Sequence, residues 1–538
     1  MSVEMMSQNG LRMVQLGHDP ASEITAQRFG SKASGLAAME TIGITVPPAF
    51  VLNTSICGEY HENGAVLPSD LPELIRKGIE FLEGETGRAF GNTNNPLLVS
   101  VRSGAPVTMP GIMDTVLNVG LTRQTVRGLT YLTGNPRFAW NTYCRVLENY
   151  GTKVLSHKEA QFQQLKKEAM RRERVIDETF LDYMALRDLA KDYEEVYSDK
   201  ERVIISNVQK QLTRATEAVL DSWDKPRAVE FRKINPVAGV SGTAVLIQAM
   251  VFGNMGTDSG SGIGFTRNPW TGESGLTVDF RYGSQGEDVV SGDYSATTQL
   301  NLKETMPNIF VELTNIAKKL ESYFRDMQDF EFTVETGKLY LLQSRRGKRS
   351  PLAALRIAVE MCNEGIISRT EALSLLKDLE LSKIAVERLE TSDPPLGQGI
   401  SASSGVAAGR IALTSKKAET ARDPTILVRE TASPDDIPGI NAAKGLLCAR
   451  GVRTSHAAVV ARSMGKVCIV DCRDLSIDLP NHRCKLKGHS LSEGETITLD
   501  GNNGLVYVGQ IPTISEKPRE LLAIIEQWTR EAEQQTAN

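Results

Sequence analysis

The run from Thr391 to Gly399 constrains the fold of this chain more than any other feature, because it separates two regions of strong helix and strand patterning. Its letters, TSDPPLGQG, contain two prolines and two glycines. Proline cannot continue a helix or a central strand, and such runs commonly join compact bodies. The sequence therefore predicts a large body over residues 1–390 and a smaller one over residues 400–510, joined by a linker at residues 391–399.

The composition of the chain argues against two classes of function, nucleic-acid binding and membrane insertion. The chain has 538 residues, of which 41% are hydrophobic and 24% charged, and its formal net charge is −5. Nucleic-acid-binding domains are normally basic, and a membrane span needs about 18 consecutive apolar residues, which the sequence lacks. The start of the chain has no signal-peptide pattern, and the seven scattered cysteines favour reduced thiols. We therefore expect a cytoplasmic protein that binds neither nucleic acid nor membranes.

The larger body alternates strand and helix signals. A continuous apolar run at residues 96–101 predicts a buried strand that ends at Arg102, and alternating runs at residues 330–334 and 338–343 predict a hairpin. Between residues 122 and 233 the pattern changes to charge-rich helices, which is typical of a solvated helical insertion. The fold class is therefore α/β, or α+β, and multidomain.

The smaller body is rich in strands. Apolar segments near residues 411, 426–428, 446–448, 467–470 and 496–499 predict short strands. The turn at residues 500–504 ends this unit, and residues 511–538 form a tail with an amphipathic helix from about Pro518 to Gln534.

His456 stands at a predicted strand–turn–helix junction. Thr454 or Ser455 can cap a helix that begins at His456, and the helix that follows is rich in Ala and Val. Free backbone N–H groups at a helix start favour an anion, so a histidine there can accept a phosphoryl group on a ring nitrogen. Arg450 or Arg453 would offset the new negative charge. The other five histidines lack this setting and are expected to be surface residues.

The predicted hairpin carries a second candidate site. Strand alternation places Asp329 and Glu331 on one face, and Gln343 and Arg345 on one face of the returning strand. Carboxylate and amide oxygens are the ligands that Mg²⁺ takes while it holds nucleotide phosphates, and Arg345 can neutralise a transferring phosphoryl group. A solvent-facing hairpin with a cross-strand ion pair is the alternative.

Three further features are weaker candidates for phosphate binding. Lys32 follows Gly30-Ser31, and Arg102 ends a buried strand. The glycine-rich stretch from Gly253 to Gly262 could cover phosphates with its N–H groups, or it could be a flexible loop. It matches neither the dinucleotide fingerprint nor the P-loop.

Taken together, these segments resemble the pyruvate, phosphate dikinase family, and the resemblance runs from about residue 29 to residue 509. It is carried by GSKASGL at residues 30–36, SVRSG at 100–104, MPGIMDT at 109–115, MVFGNMG at 250–256, FTRNP at 265–269, QGEDVV at 285–290, DMQDFEFT at 326–333 and the segment 454–462.

The resemblance implies an ATP-grasp nucleotide-binding domain with a helical insertion, followed by a swivelling phosphohistidine domain. It also implies that ATP gives its β-phosphoryl group to a histidine and its γ-phosphoryl group to inorganic phosphate, releasing AMP and pyrophosphate with the help of Mg²⁺. The residues that match the family's functional positions are His456 for the phosphorylated histidine, Lys32, Arg102 and Arg345 for phosphate, Glu287 and Asp329 for the nucleotide, Glu331 and Gln343 for the metal, and Thr454 for a regulatory phosphorylation site.

Two departures from the family pattern stand out. Where the family usually reads Gly-Gly-Met-Thr-Ser-His, this chain has Gly451-Val452-Arg453-Thr454-Ser455-His456, which adds a cation beside the histidine. The family also continues into a large (β/α)₈ barrel that binds Mg²⁺ and pyruvate, for which residues 510–538 are too few. The sequence therefore predicts that a separate subunit handles pyruvate.

The leading hypothesis is a phosphotransferase that carries out the nucleotide half of the dikinase reaction and then passes the phosphoryl group to pyruvate on that subunit. One alternative keeps the same chemistry with another acceptor. A second alternative is a non-catalytic nucleotide-sensing protein.

Overall fold

The computed structural model describes residues 11–106, 109, 112–234, 242–286, 302–451, 453 and 455–537. Only the backbone is described at Ile234, Val386, Pro434, His456, Ala457, Ser463 and residues 535–537. These residues fall into two units. The first contains residues 1–256 together with residues 340–343, and the second contains residues 257–339 and 344–538. This division differs in position from the predicted domain boundary at 391–399, which stays a prediction.

Strand β7 forms the middle of the five-stranded antiparallel sheet in the first unit, in the order β1-β2-β7-β5-β6. All six of its residues are buried, as befits a strand with neighbours on both sides. The strands of this unit are β1 (Met13–Gln15), β2 (Ala49–Leu52), β3 (Ala89–Phe90), β4 (Pro96–Leu97), β5 (Val99–Gly104), β6 (Thr115–Val119) and β7 (Ala244–Ala249).

Helices occupy the stretch from Val126 to Ile234, where the sequence pattern predicts them, and their role as an insertion stays a prediction. Their apolar faces share one core with the sheet, so the insertion is packed rather than merely solvated. The helices of this unit are α1 (Ala26–Thr41), α2 (Ser55–Glu62), α3 (Leu71–Thr86), α4 (Val126–Thr133), α5 (Pro136–Lys153), α6 (Glu159–Glu173), α7 (Tyr183–Glu195), α8 (Asp199–Ile205), α9 (Val208–Asp221) and α10 (Pro226–Ile234).

The second unit begins with a four-stranded sheet in the order β11-β10-β8-β9. Its strands are β8 (Gly260–Arg267), β9 (Ser274–Tyr282), β10 (Gln328–Glu335) and β11 (Lys338–Arg346), and its helices are α11 (Leu302–Thr305), α12 (Pro307–Phe324), α13 (Pro351–Asn363) and α14 (Arg369–Leu376). The predicted hairpin is confirmed, and a capping box of Ser368 and Glu371 begins α14.

The expectation of a glycine-rich loop from Gly253 to Gly262 is wrong at its end. Strand β8 already begins at Gly260, and all of its residues are buried. A Cβ atom at Gly260 would lie 2.2 Å from the Phe280 ring, and one at Gly262 would lie 2.5 Å from the Phe332 ring. These glycines are therefore required by aromatic rings on the neighbouring strands.

An eight-stranded sheet forms the strand-rich part of this unit, in the order β13-β23-β22-β15-β16-β17-β18-β14. Strands β15 to β18 are parallel neighbours, and all five strands predicted there are present. The remaining elements are β12 (Val386–Leu389), β13 (Gly397–Gln398), β14 (Ile400–Ser403), β15 (Val406–Ala412), α15 (Ser415–Thr420), β16 (Thr425–Arg429), α16 (Ile437–Ala442), β17 (Gly445–Cys448), α17 (His456–Ser463), β18 (Val467–Val470), β19 (Leu475–Asp478), β20 (Arg483–Leu486), β21 (His489–Ser492), β22 (Thr496–Asp500), β23 (Leu505–Val508), β24 (Thr513–Glu516) and α18 (Arg519–Ala537).

All seven cysteines are free thiols, six of them buried, as expected for reduced side chains.

Within the described ranges, no helix combines the length and the apolar character needed to cross a membrane. The predicted cytoplasmic location stays a prediction.

A buried ion pair fixes helix α12 against the four-stranded sheet. Arg267 ends β8 with 1% of its side chain exposed, and its guanidinium donates to both carboxylate oxygens of Glu321, at 3.0 and 2.9 Å. It also donates to Glu364 at 3.0 Å. Removing one partner of such a pair leaves a buried charge uncompensated.

Replacing Arg267 by Met should therefore lower the free energy of unfolding of the second unit by about 3–5 kcal/mol, measured by urea titration. The matched control is Arg410→Met, which removes an exposed ion pair with Asp423 and should cost at most about 1 kcal/mol. Equal effects of the two substitutions would contradict this assignment.

Candidate functional site

The first unit brings the predicted phosphate ligands Lys32 and Arg102 to the end of strand β5. The sequence pattern predicts a short helix over residues 36–42, but helix α1 already begins at Ala26 and is kinked at Gly30, where φ is +81°. A Cβ atom there would lie 2.1 Å from the Gly104 carbonyl oxygen, so only glycine allows this approach. Lys32 Nζ then donates to the Ser103 carbonyl oxygen at 2.8 Å.

Arg102 lies one residue before Ser103 on β5, and its guanidinium donates to Gln248 Oε1 at 3.3 Å. Gln248 is buried on the adjacent strand β7 and is fixed in turn by a bond from its amide nitrogen to the Pro47 carbonyl oxygen. The sheet therefore orients two cations from distant parts of the sequence at one strand end.

Strand β10 of the second unit carries the predicted carboxylates. Asp329 is 3% exposed, and Arg345 on β11 donates to it through Nε at 2.5 Å. Burial raises the pKa of Asp329 to about 6, against the opposing effect of the Arg345 charge. The cross-strand ion pair of the alternative interpretation is present, but Asp329 is buried, so the hairpin is not solvent-facing at this position.

The charge of Arg345 depends on the same surroundings. Burial alone would lower its pKa, but the carboxylates of Asp329 and Glu331 outweigh that effect, and the pKa is raised above its ordinary value. Arg345 therefore remains a fixed positive charge, which is the property required to bind phosphate.

A third carboxylate shares the face of Glu331. In the strand register Glu331 lies opposite Ile263, and Ile263 lies opposite Asp279 on β9. Side chains opposite each other in antiparallel strands point to the same face, so Asp279 joins Glu331 there. Sequence analysis missed Asp279 because only the strand register relates it to the hairpin.

The predicted magnesium ligands are Glu331 and Gln343. Glu331 lies on β10, whereas the buried Gln343 belongs to the part of β11 that groups with the first unit. Among the described residues, no group of three or more His, Cys, Asp and Glu side chains could hold a metal ion. Carboxylate and amide oxygens nevertheless suit Mg²⁺, which usually takes few protein ligands beside water and phosphate.

Helix α17 begins at His456, as predicted. Ser455 is the N-cap, and its hydroxyl accepts the Ala458 N–H at 3.4 Å. The body of the helix is buried at Ala458 and Ala461. The backbone of His456 thus lies in the first turn, where N–H groups lack helical partners.

The arginines near His456 differ in their surroundings. Arg450 is exposed and lies 3.4 Å from Glu430, whereas Arg453 stacks against the ring of Trp270. Sequence analysis gave no role to Arg462, whose side chain is buried at the end of α17. The sequence feature that could have indicated a buried Arg462 is a single arginine within a helix rich in Ala and Val.

Two predicted residues, Glu287 and Thr454, lie outside the described residues. Their assigned roles, in nucleotide binding and in regulation, stay predictions.

Comparison with known proteins gives the family. The profile described as "Pyruvate phosphate dikinase, AMP/ATP-binding domain" matches residues 63–310 and 295–365, and that of "PEP-utilising enzyme, mobile domain" matches residues 421–504. The predicted linker at 391–399 lies between these matches.

Curated relatives agree with the profiles. The chain is 40% identical over 495 residues to pyruvate, phosphate dikinase of Clostridium symbiosum, covering 90% of this chain and 56% of that protein. It is 41% identical over 493 residues to the chloroplastic pyruvate, phosphate dikinase 1 of Arabidopsis thaliana, covering 90% and 51%. The chain thus spans about half the length of the curated relatives it matches. These matches, together with the mixed α/β fold and the predicted motifs, place the chain in the pyruvate, phosphate dikinase family.

Proposed function

We propose that this chain carries out the nucleotide half of a dikinase reaction, in which ATP and inorganic phosphate give AMP, pyrophosphate and a phosphohistidine at His456. The observation that carries the proposal is the start of α17 at His456, in the same unit as the Asp329–Arg345 hairpin. One unit thus supplies both a nucleophile at a helix N-terminus and a cation fixed beside carboxylates.

In the proposed reaction a ring nitrogen of His456 forms a bond to the β-phosphorus of ATP. The bond from that phosphorus to the α-phosphate oxygen breaks, and AMP leaves. The γ-phosphoryl group passes to inorganic phosphate, which gives pyrophosphate, and the β-phosphoryl group stays on the histidine. The N–H groups in the first turn of α17 favour the negative charge that the histidine gains.

The remaining residues act on the nucleotide in this proposal. Lys32, Arg102 and Arg345 bind phosphate oxygens, while Asp329 and Glu287 contact the nucleotide. Glu331 and Gln343 would hold Mg²⁺, which neutralises charge on the phosphates when bound. Because Asp329 holds Arg345 in one orientation, that cation would not need to reorganise during transfer.

The histidine must reach the nucleotide and then an acceptor, so we propose a hinge at the predicted linker. Strand β12 pairs with β24, in the register Val386↔Glu516 to Leu389↔Thr513. The chain therefore leaves this two-stranded ribbon at residues 390–396 and returns to it at residues 509–512. Two adjacent connections, rather than one linker, join the eight-stranded sheet to the rest of the unit.

An open cavity lies beside these connections. Its volume is about 1150 Å³, and it is lined by Leu389 and Thr391 near the outgoing connection, by Ile511 at the returning one, and by Ser404 and Ala408 before and within β15. Open space beside the two connections leaves room for the chain to rotate about them.

We also propose that the phosphoryl group passes to pyruvate on a separate barrel subunit. Two alternatives compete with this proposal. In the first the acceptor is another metabolite or a protein, and in the second the chain only senses nucleotides. The following experiments distinguish them.

Incubation with ATP labelled at the β-phosphorus, with Mg²⁺ and phosphate, should give protein-bound label that is lost in acid, as expected for a phosphoramidate. The label should be absent from His456→Ala and present in His489→Ala, whose histidine is exposed on β21. An unlabelled wild type that binds ATP would favour the sensing role, and a labelled His456→Ala would refute the assignment of the histidine.

Replacing Arg345 by Met should slow single-turnover labelling about 100-fold, because a cation beside the transferring phosphate is lost. The matched control is Arg346→Met, at the next position of β11, where the side chain is 63% exposed and Asp326 retains Arg349. The control should label within about twofold of wild type. Comparable rates for both variants would remove Arg345 from the proposed site.

Deleting Ser392 and Asp393 should restrict the hinge. ATP binding, measured by equilibrium dialysis, should change less than about twofold, while transfer of label to pyruvate with an added barrel subunit should slow about tenfold. The control replaces both Ser392 and Asp393 by Ala, which leaves the length of the linker unchanged. Equal losses of binding and transfer would contradict the hinge, and transfer to pyruvate without added subunit would contradict the separate acceptor.

A further inference from the structure

Trp270 lies where the segment that carries His456 meets the four-stranded sheet. It follows β8 in a turn fixed by Asn268, whose side-chain oxygen accepts the N–H groups of Trp270 at 2.8 Å and Thr271 at 3.1 Å. The Ser350 hydroxyl donates to the Trp270 carbonyl oxygen at 2.8 Å. The side chain is 6% exposed, so it is a rigid aromatic surface rather than a mobile one.

Two arginines from the histidine-bearing segment stack on this indole. The guanidinium carbon of Arg453 lies 5.3 Å from the ring centroid, and that of Arg462 lies 4.9 Å from it. Arg462 also lies 5.6 Å from the centroid of Phe265, which is opposite Asp329 in the strand register. A cation within about 6 Å of an aromatic face is attracted to it, most strongly by tryptophan.

The carbonyl group of Ala402 completes the contact. Ala402 is the extra residue of a β-bulge, since Ser401 pairs with Ile469 and Ser403 pairs with Cys468. Its carbonyl oxygen accepts Trp270 Nε1 at 2.5 Å and Arg462 Nη2 at 3.0 Å. Arg462 Nη2 also donates to the Arg453 carbonyl oxygen at 2.9 Å, so the indole, the bulge and both arginines form one connected group.

Both arginines lie over the indole ring, and the carboxylates of Asp279 and Asp329 also favour the charged form of Arg462. Within the described part of the chain, Arg453 Nε and Arg462 Nη1 are buried and have no hydrogen-bond partner. Burial lowers the pKa of Arg462 to about 10, which leaves it positively charged at neutral pH. The stacked cations are therefore retained at a desolvation cost, which favours a role for this contact beyond packing.

We propose that Trp270 is a positioning residue that docks the phosphohistidine segment on the nucleotide-binding sheet through Arg453, Arg462 and the Ala402 carbonyl group. Arg453 stands where the dikinase pattern usually has Met, so this chain adds a cation to the docked state. The inference rests on the proposed function, because it assigns the docked geometry to phosphoryl transfer from ATP.

The test compares full-length Trp270→Ala, Trp270→Phe and Arg453→Met with wild type in single-turnover labelling from ATP. Trp270→Ala should lower the maximal rate about tenfold and Arg453→Met about threefold, while the ATP concentration for half-maximal rate changes less than about twofold. Trp270→Phe keeps an aromatic face and should recover most of the rate. The control Arg410→Met removes an exposed arginine that pairs with Asp423 on the strand-rich part of the unit and should equal wild type.

A second measurement is independent of the chemistry. The difference between the wild-type and Trp270→Phe fluorescence spectra isolates the emission of Trp270, and acrylamide quenching of that emission reports its exposure. Arg453→Met should increase the quenching, and Arg410→Met should not. If the wild-type protein is never labelled, the proposed function is wrong. The quenching measurement then still tests whether Trp270 and Arg453 form the docking contact. Wild-type rates in Trp270→Ala, or unchanged quenching in Arg453→Met, would overturn the proposal.

Discussion

The pairing of β12 with β24 is the constraint on which the second unit depends. Because these strands are neighbours, the segment between them must leave and return at one place, and both of its ends are held by a single ribbon. A body tied at two adjacent points can rotate about them without losing its own sheet. The proposed travel of the histidine rests on this connection, which would let the eight-stranded sheet and helix α17 move together.

The charges near the hairpin illustrate a second constraint. Asp329 is buried deeply enough that its pKa rises to about 6, yet Arg345 lies in direct contact with it. Burial makes each charge depend on its neighbours, so substitutions at either position should alter the other. Trp270 plays a comparable part for Arg453 and Arg462, whose guanidinium groups lie over its ring, and Arg462 also donates to the Ala402 carbonyl oxygen.

Sequence patterns predicted the features that depend on residues close to one another in the sequence. The cap at Ser455 and the Ala/Val helix after it gave the start of α17, and alternation in residues 329–345 gave the hairpin and its ion pair. Features set by distant neighbours were missed. The glycines of β8 are required by Phe280 and Phe332, and Asp279 joins Glu331 only through the strand register.

The early start of helix α1 has a similar cause. Gly30 adopts a positive φ beside Gly104, and that approach cannot be seen from either glycine alone. The same holds for Trp270, because nothing near residue 270 in the sequence points to a bulge at Ala402 or to Arg462. Long-range contacts of this kind determine the geometry of a site, while local patterns indicate which residues belong to it.

The most direct test of the account is mass spectrometry of the tryptic peptide Thr454–Arg462 after incubation of the intact chain with ATP, Mg²⁺ and phosphate. The account predicts one phosphoryl group on His456, retained at neutral pH and lost in acid. A peptide that stays unmodified while ATP is converted to AMP, or an acid-stable phosphoryl group on Thr454 or Ser455 alone, would contradict it.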